Sequence, residues 1–174
     1  MVYIIAQIIG FIAFLISLIA YHKKSKKIIL KNMVISNILN LIHYLLLGAF
    51  SGCITKVLAI FRDYFIIKKE KNHKLSNILY LFIFIILYII ASIFTYRGIL
   101  SVLPLVAAII YIIFIWNGDE VKIRRTAFFC FFLWLIYNIF VLSISGIVSN
   151  IISIISTLIA IINKNEKDII CNND

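Results

Sequence analysis

Three apolar tracts, Ile28 to Ile67, Leu75 to Trp116 and Thr126 to Asn163, are each close to twice the roughly 20 residues that one helix needs to cross a bilayer. A single straight helix through any of them would overrun the hydrocarbon, so each must turn back on itself. The reversal points are visible as Gly48-Ala49-Phe50-Ser51-Gly52, Tyr96-Arg97-Gly98 and Ser143-Ile144-Ser145-Gly146, where glycine and serine permit a tight turn. With the shorter tract Val2 to Tyr21, the pattern predicts seven helices, over about 3–21, 29–48, 52–68, 76–96, 99–116, 126–143 and 147–163. Strands are disfavoured, because a barrel needs polar residues at alternate positions and these tracts do not alternate.

Composition agrees with that reading. At 64% hydrophobic and 14% charged residues, with a mean hydropathy of +1.11, the chain has too little polar surface to clothe a soluble core. An all-α membrane protein is expected. The first tract has no basic segment before it and no small-residue cleavage site, so it reads as an uncleaved first span and not as a signal peptide.

The chain is also built from one unit used twice. Residues 7–68 lie over 101–162 at a constant shift of 94, and the punctuation falls into register along with the apolar residues. Ser51-Gly52 meets Ser145-Gly146, Lys31 meets Arg125, Asn40-Leu41-Ile42-His43-Tyr44 meets Trp134-Leu135-Ile136-Tyr137-Asn138, and Gly10 meets Pro104. A three-span unit has an odd number of crossings, so one extra helix between the copies restores the orientation of the second. The expected organisation is therefore two parallel three-helix repeats plus a linker helix (3+1+3): residues 1–72, a linker helix at 73–97, the second repeat at 98–163 and a cytoplasmic tail at 164–174, read as mobile.

Charge orients this bundle. Lys23, Lys24, Lys26, Lys27 and Lys31 follow the first helix, Lys68, Lys69, Lys71 and Lys74 the third, Lys122, Arg124 and Arg125 the fifth, and Lys164 and Lys167 the seventh. All lie on one side, against Arg97 on the other. The positive-inside rule then puts the amino terminus outside and the carboxyl terminus in the cytoplasm. The net charge of +10 is explained by lysines beside anionic headgroups, and nucleic acid is not an expected partner, for want of a soluble domain to shape a groove. Cys53, Cys130 and Cys171 are too dispersed to pair or to hold a metal.

At the level of topology the chain resembles the SWEET and PQ-loop transporters, whose halves are related by an axis along the membrane normal. A closer resemblance lies in particular residues. Ala6-Gln7 with Gly10 and Ala13-Phe14-Leu15-Ile16, His43 with Leu46-Leu47-Gly48, and Ala59-Ile60-Phe61-Arg62 look like the YgjV-type family of bacterial inner-membrane proteins. Leu103-Pro104, Arg125, Trp134-Leu135-Ile136 with Asn138, and Ser143-Ile144-Ser145-Gly146 continue the likeness through the second half. It implies a bacterial inner-membrane location; Tyr137 stands where a second histidine would be expected.

Polar residues inside the spans carry the functional reading. Helices two and three meet near Phe50, so residues equidistant from that turn share a depth. At 1.5 Å per residue, His43 and Tyr44 lie roughly 10 Å below it, level with Lys56, while Asn37 lies level with Asp63. Tyr137 and Asn138 are likewise level with Asn150. Spacing of i, i+3, i+7 puts Asn37, Asn40 and Tyr44 on one face, and does the same for Lys56, Ala59 and Asp63 and for Asn150, Ser153 and Thr157. An ionisable group in hydrocarbon costs several kcal/mol unless it faces protein or water, so His43, Lys56, Arg62 and Asp63 should point inward. These seams are expected to enclose a cleft in which Asn40, His43, Tyr44, Lys56, Arg62, Asp63, Trp134, Tyr137, Asn138 and Asn150 meet a small polar solute, with His43 available to couple a proton and Gly10 and Pro104 as hinges.

Plainer roles stand beside these. Asn and His in spans also tie helices together, Lys56 and Arg62 have stems long enough to snorkel to headgroups, and Tyr3, Tyr21, Tyr96 and Trp116 fall at helix ends as interface anchors. No catalytic residues and no cofactor are expected, since Asp63 is the lone acid in a span. The reading is a small transporter; its rivals are a non-transporting scaffold or sensor subunit and, further off, a membrane enzyme. The bilayer and one solute are the expected partners, with a homo-oligomer left open.

Overall fold

A computed structural model describes residues 1–21, 25–69, 78–117 and 120–171. It contains seven α-helices: α1 (Val2–Tyr21), α2 (Lys26–Leu46), α3 (Phe50–Lys69), α4 (Ile78–Phe94), α5 (Leu103–Asn117), α6 (Glu120–Phe140) and α7 (Ile144–Cys171), with a 3-10 turn at Ile99–Val102 before α5. Among the described residues there is no strand. Lys23, Lys24, Lys71 and Lys74 of the basic clusters lie outside the described residues.

Three segments, Val2–Ala20, Lys26–Leu46 and Ile99–Trp116, are long and apolar enough to cross a membrane on their own. Ile78–Phe94, Arg125–Phe140 and Ile144–Ile159 are apolar but shorter. Helix α3 belongs to neither group, because Lys56, Arg62, Asp63, Lys68 and Lys69 dilute it.

Several boundaries differ from the sequence reading for physical reasons. Helix α6 begins at Glu120, a turn and a half before the apolar tract, because Glu, Lys and Arg are good helix formers whether or not they are buried. Helix α7 continues to Cys171, so the tail expected to be mobile is helical through that residue; Lys164 to Cys171 contains neither glycine nor proline to stop it. Pro104 is the second residue of α5 and not a kink within it. A missing N–H costs nothing in a first turn, and the 3-10 turn ahead of it closes with Leu103 N–H donating to the Leu100 carbonyl.

Small residues decide which face of each helix packs inward. On α1, Ala6, Ala13 and Ala20 are wholly buried, while Ile4, Ile8, Phe11, Ile12, Leu15 and Ile19 point outward. Lipid tails are as apolar as isoleucine, so burying large side chains gains little, and close backbone approach at small ones drives association. Gly10 shows the limit of that approach: a Cβ there would run into Ser145 Oγ on α7 and the His43 ring on α2. Gly10 is thus a contact point in a continuous helix.

Positions 94 residues apart make matching contacts. Ser36 Oγ on α2 donates to the Ala13 carbonyl on α1 at 2.8 Å, and the equivalent Cys130 Sγ on α6 donates to the equivalent Ala107 carbonyl on α5 at 3.3 Å. The turns match as well. Gly48 (φ 67°) ends α2 and Leu142 (φ 53°) ends α6 in the left-handed conformation, with Ala49 N–H donating to the Tyr44 carbonyl and Ser143 N–H to the Asn138 carbonyl, both at 2.9 Å. These are the same six-to-one closures. At the level of whole helices, α1 packs on α7 as α5 packs on α3. Six helices therefore close a ring in the order α1, α2, α3, α5, α6, α7, with α4 outside against α3 and α5.

The ring has two distinct ends. At one, Tyr3 Oη donates to the Leu142 carbonyl, Gln7 Oε1 accepts from Ser145 N–H and Arg97 lies over the Phe50 ring. At the other, Lys69 Nζ donates to the Trp116 carbonyl at 2.9 Å and lies over its ring. Trp116 is 3% exposed, so it joins the α3–α5 packing and is not an interface anchor.

Candidate functional site

Inside the ring is a cavity of about 140 Å³ lined by α1, α2, α3, α5, α6 and α7, and by no residue of α4. Its lining follows the repeat almost completely. Phe14 and Ala108, Ser36 and Cys130, Asn37 and Phe131, Asn40 and Trp134, Tyr44 and Asn138, Lys56 and Asn150, and Ala59 and Ser153 are equivalent positions that all face it. Arg62, Asp63, Ala107 and Gly146 are the lining residues whose counterparts do not. The cavity therefore surrounds the pseudo-two-fold axis.

Of the sequence-derived candidates, Asn40, Tyr44, Lys56, Arg62, Asp63, Trp134, Asn138 and Asn150 line this space. The three polar faces inferred from helical spacing all reach it, Thr157 excepted. Matched depth is visible directly, since Asn37 Nδ2 on α2 donates to Asp63 Oδ2 on α3 at 3.1 Å. Arg62 closes this group. Its Nε and its terminal NH2 nitrogen each lie 2.8 Å from Asp63 Oδ1, and its guanidinium stacks on Tyr111. At 4% exposure it faces inward and does not snorkel to headgroups. Lys56 does not snorkel either: its Nζ sits 3.8 Å above the centre of the Trp134 ring. Trp134 in turn stacks on Tyr44 with centroids 5.7 Å apart.

His43 and Tyr137, equivalent positions, are instead placed between the cavity and the tight turns. Each reaches across to the other repeat. The Ala6 carbonyl can only accept, so His43 Nδ1–H donates to it at 2.7 Å, and Nε2 pairs with Ser143 Oγ at 2.8 Å. Ser143 Oγ also accepts Gly146 N–H. Tyr137 Oη accepts Gly52 N–H and pairs with Ser51 Oγ, each at 2.9 Å. The imidazole is 1% exposed with both nitrogens engaged, which makes it a tie between repeats and not a group offered to a solute. Pro104 lines nothing here, and Gly10 serves packing.

Residues not singled out from the sequence complete the lining. Phe14 and Ser17 on α1, Ser36 on α2, Thr55 on α3 and Tyr111 on α5 all face the cavity. The repeat shift was the available signal, because Ser17 and Tyr111 are equivalents, as are Ser36 and Cys130.

Apolar helices ringed by outward-facing isoleucine, leucine and phenylalanine around a polar interior define an α-helical membrane protein. The model of the family Imp-YgjV, bacterial inner membrane protein, matches residues 4–167, and the chain belongs to that family. No curated protein and no solved structure matches it.

Proposed function

We propose that the chain is a transporter of a small polar solute, with seven spans arranged as two parallel three-helix repeats and a linker helix, α4, in the manner of SWEET-type carriers. The cavity lined by equivalent residues of both repeats is the observation that carries this reading. A site on an axis between two like halves can be exposed to either face by rocking one half against the other. The links from His43 to Ser143 and from Tyr137 to Ser51 and Gly52 would hold one face shut, and would part when the halves rock. The basic residues at the α3 and α6 ends away from the tight turns favour that end as cytoplasmic, with the amino terminus outside.

The reading is non-enzymatic. Asp63, the acid in the cavity, is committed to Arg62 and Asn37, which leaves no free carboxylate for acid–base work. A scaffold or sensor subunit is the second reading, favoured by the same saturation: His43, Tyr137, Asn37 and Asp63 all bond to protein. Reconstitution in liposomes separates the two. A transporter accelerates entry of at least one member of a panel of carboxylates, amino acids, sugars and vitamins, and Asn138→Ala abolishes that flux while the protein stays folded. No flux across the panel, with a stoichiometric partner co-purifying, identifies the scaffold.

A further inference from the structure

Three ionisable side chains, Lys56, Arg62 and Asp63, face the cavity, and they are not alike. Arg62 and Asp63 satisfy each other, and Asn37 takes the second Asp63 oxygen. Lys56 has no such arrangement. Among the described residues its Nζ meets the face of Trp134 and no hydrogen-bond acceptor. A ring face offsets part of an ammonium's charge but accepts none of its three N–H donors in the directional sense. A lone cation in a span is costly without a partner, so the cavity holds one basic group in excess of its own pairing, and an anion is the partner that would complete it.

A second, independent observation lies at the equivalent position. Asn150 is 8% exposed and lines the same cavity, and among the described residues its side-chain amide has no hydrogen-bond partner. The two positions related by the repeat thus both present unused polar groups to one space. Asn40, by contrast, spends its amide on Ser36. The volume sets the size of what fits. At about 140 Å³ it matches a cavity of roughly 150 Å³ known to accept benzene, which admits a compact acid and is tight for a hexose.

We propose that the cavity binds a small carboxylate anion, its charged oxygens on Lys56 Nζ and the Asn150 amide and its carbon body beside Trp134. This deepens the transport reading and rests on it for the cavity being open to water. The Trp134 ring sits under the recognising cation, so its fluorescence reports occupancy.

The test uses the full chain in nanodiscs of phosphatidylcholine, which adds no net anionic headgroup. Acetate, propionate, benzoate and inorganic phosphate are titrated beside acetamide, propionamide and benzamide, which match the carboxylates in shape without the charge. At least one carboxylate should change the tryptophan emission and bind about tenfold or more tightly than its amide, as expected for a charge-assisted contact. Lys56→Gln should erase that preference and Lys56→Arg should keep it. Equal binding of acid and amide, a preference that survives Lys56→Gln, response to phosphate alone, or silence from every anion overturns the proposal, and the acid–amide comparison on the native chain needs no variant to fold. Binding without liposome flux leaves the anion site standing and removes the transport reading. Flux of neutral solutes with no charge preference does the reverse.

Discussion

Tyr44 Oη donates to Asn138 Oδ1 at 2.8 Å, and the two residues are the same position of the two repeats. A contact between equivalents can only lie close to an axis that would relate the halves, so this hydrogen bond lies near it. Its surroundings keep the symmetry. Gly52 packs against the Tyr44 ring, where a Cβ would be tight at 3.0 Å, and Gly146 against the Asn138 amide, too closely for a side chain. Losing the bond by Tyr44→Phe should cost about 1 kcal/mol, and Tyr44→Phe with Asn138→Leu should cost less than the sum of the single changes. Thermal unfolding in detergent measures the cycle; strict additivity would mean the bond does not form.

The glycines that let the repeats touch should be intolerant in a specific order. Gly10→Ala places a methyl against Ser145 Oγ and His43, and overpacking of this kind costs about 1–3 kcal/mol. Gly146→Ala meets Asn138 and Ser143 nearly as closely, whereas Gly52→Ala meets Tyr44 at 3.0 Å and should be milder. Melting temperatures of the three variants check the ranking, and an unchanged Gly10→Ala would contradict the packing.

Leu142 adopts the left-handed conformation that Gly48 holds in the other repeat. Non-glycine residues pay roughly 1–2 kcal/mol there, against about 0.5–1 kcal/mol of extra chain entropy for glycine. Leu142 is 69% exposed, so little packing is lost on replacement. Leu142→Gly should stabilise the protein by about 0.5–1 kcal/mol, and Gly48→Leu should destabilise it by a similar amount. Chemical unfolding of the pair decides the point.

Arg62 and Asp63 are a buried couple, and removing one partner strands the other. Arg62→Leu or Asp63→Leu alone should cost about 3–5 kcal/mol, while the double substitution should recover most of it. Yield of monodisperse protein and its melting temperature report this. Equal damage from single and double changes would show that the pair is not mutually dependent.

Much of this architecture is legible in the residues, and the parts that are not have a common cause. The turns near Gly48 and Ser143, the repeat shift and the depth match of Asn37 with Asp63 follow from tract length, punctuation and helical rise, all local quantities. The diversion of His43 away from the cavity depends on Ser143, which lies 100 positions later, and on the absence of a side chain at Gly10. No periodicity encodes that. Pro104, expected as a hinge, is a related case: its effect depends on whether a helix begins before it or at it, and with the 3-10 turn at Ile99–Val102 ahead of it, it opens α5. The start of α6 escaped because apolarity marks where a helix is buried and not where it begins.

Transport by rocking requires the space between the two halves to be open to water. Ala59 and Ser153 are equivalent residues facing it from opposite repeats, whereas Phe61 and Ile155 point outward at similar positions along the same helices. With Cys53, Cys130 and Cys171 replaced, single cysteines at these four places can be exposed to a membrane-impermeant anionic thiosulfonate, whose reaction requires an ionised thiol in water. Ala59→Cys and Ser153→Cys should both react, from the same side of the membrane, while Phe61→Cys and Ile155→Cys stay inert. If the two cavity positions prove as unreactive as the lipid-facing pair, the space is dry packing and the account fails.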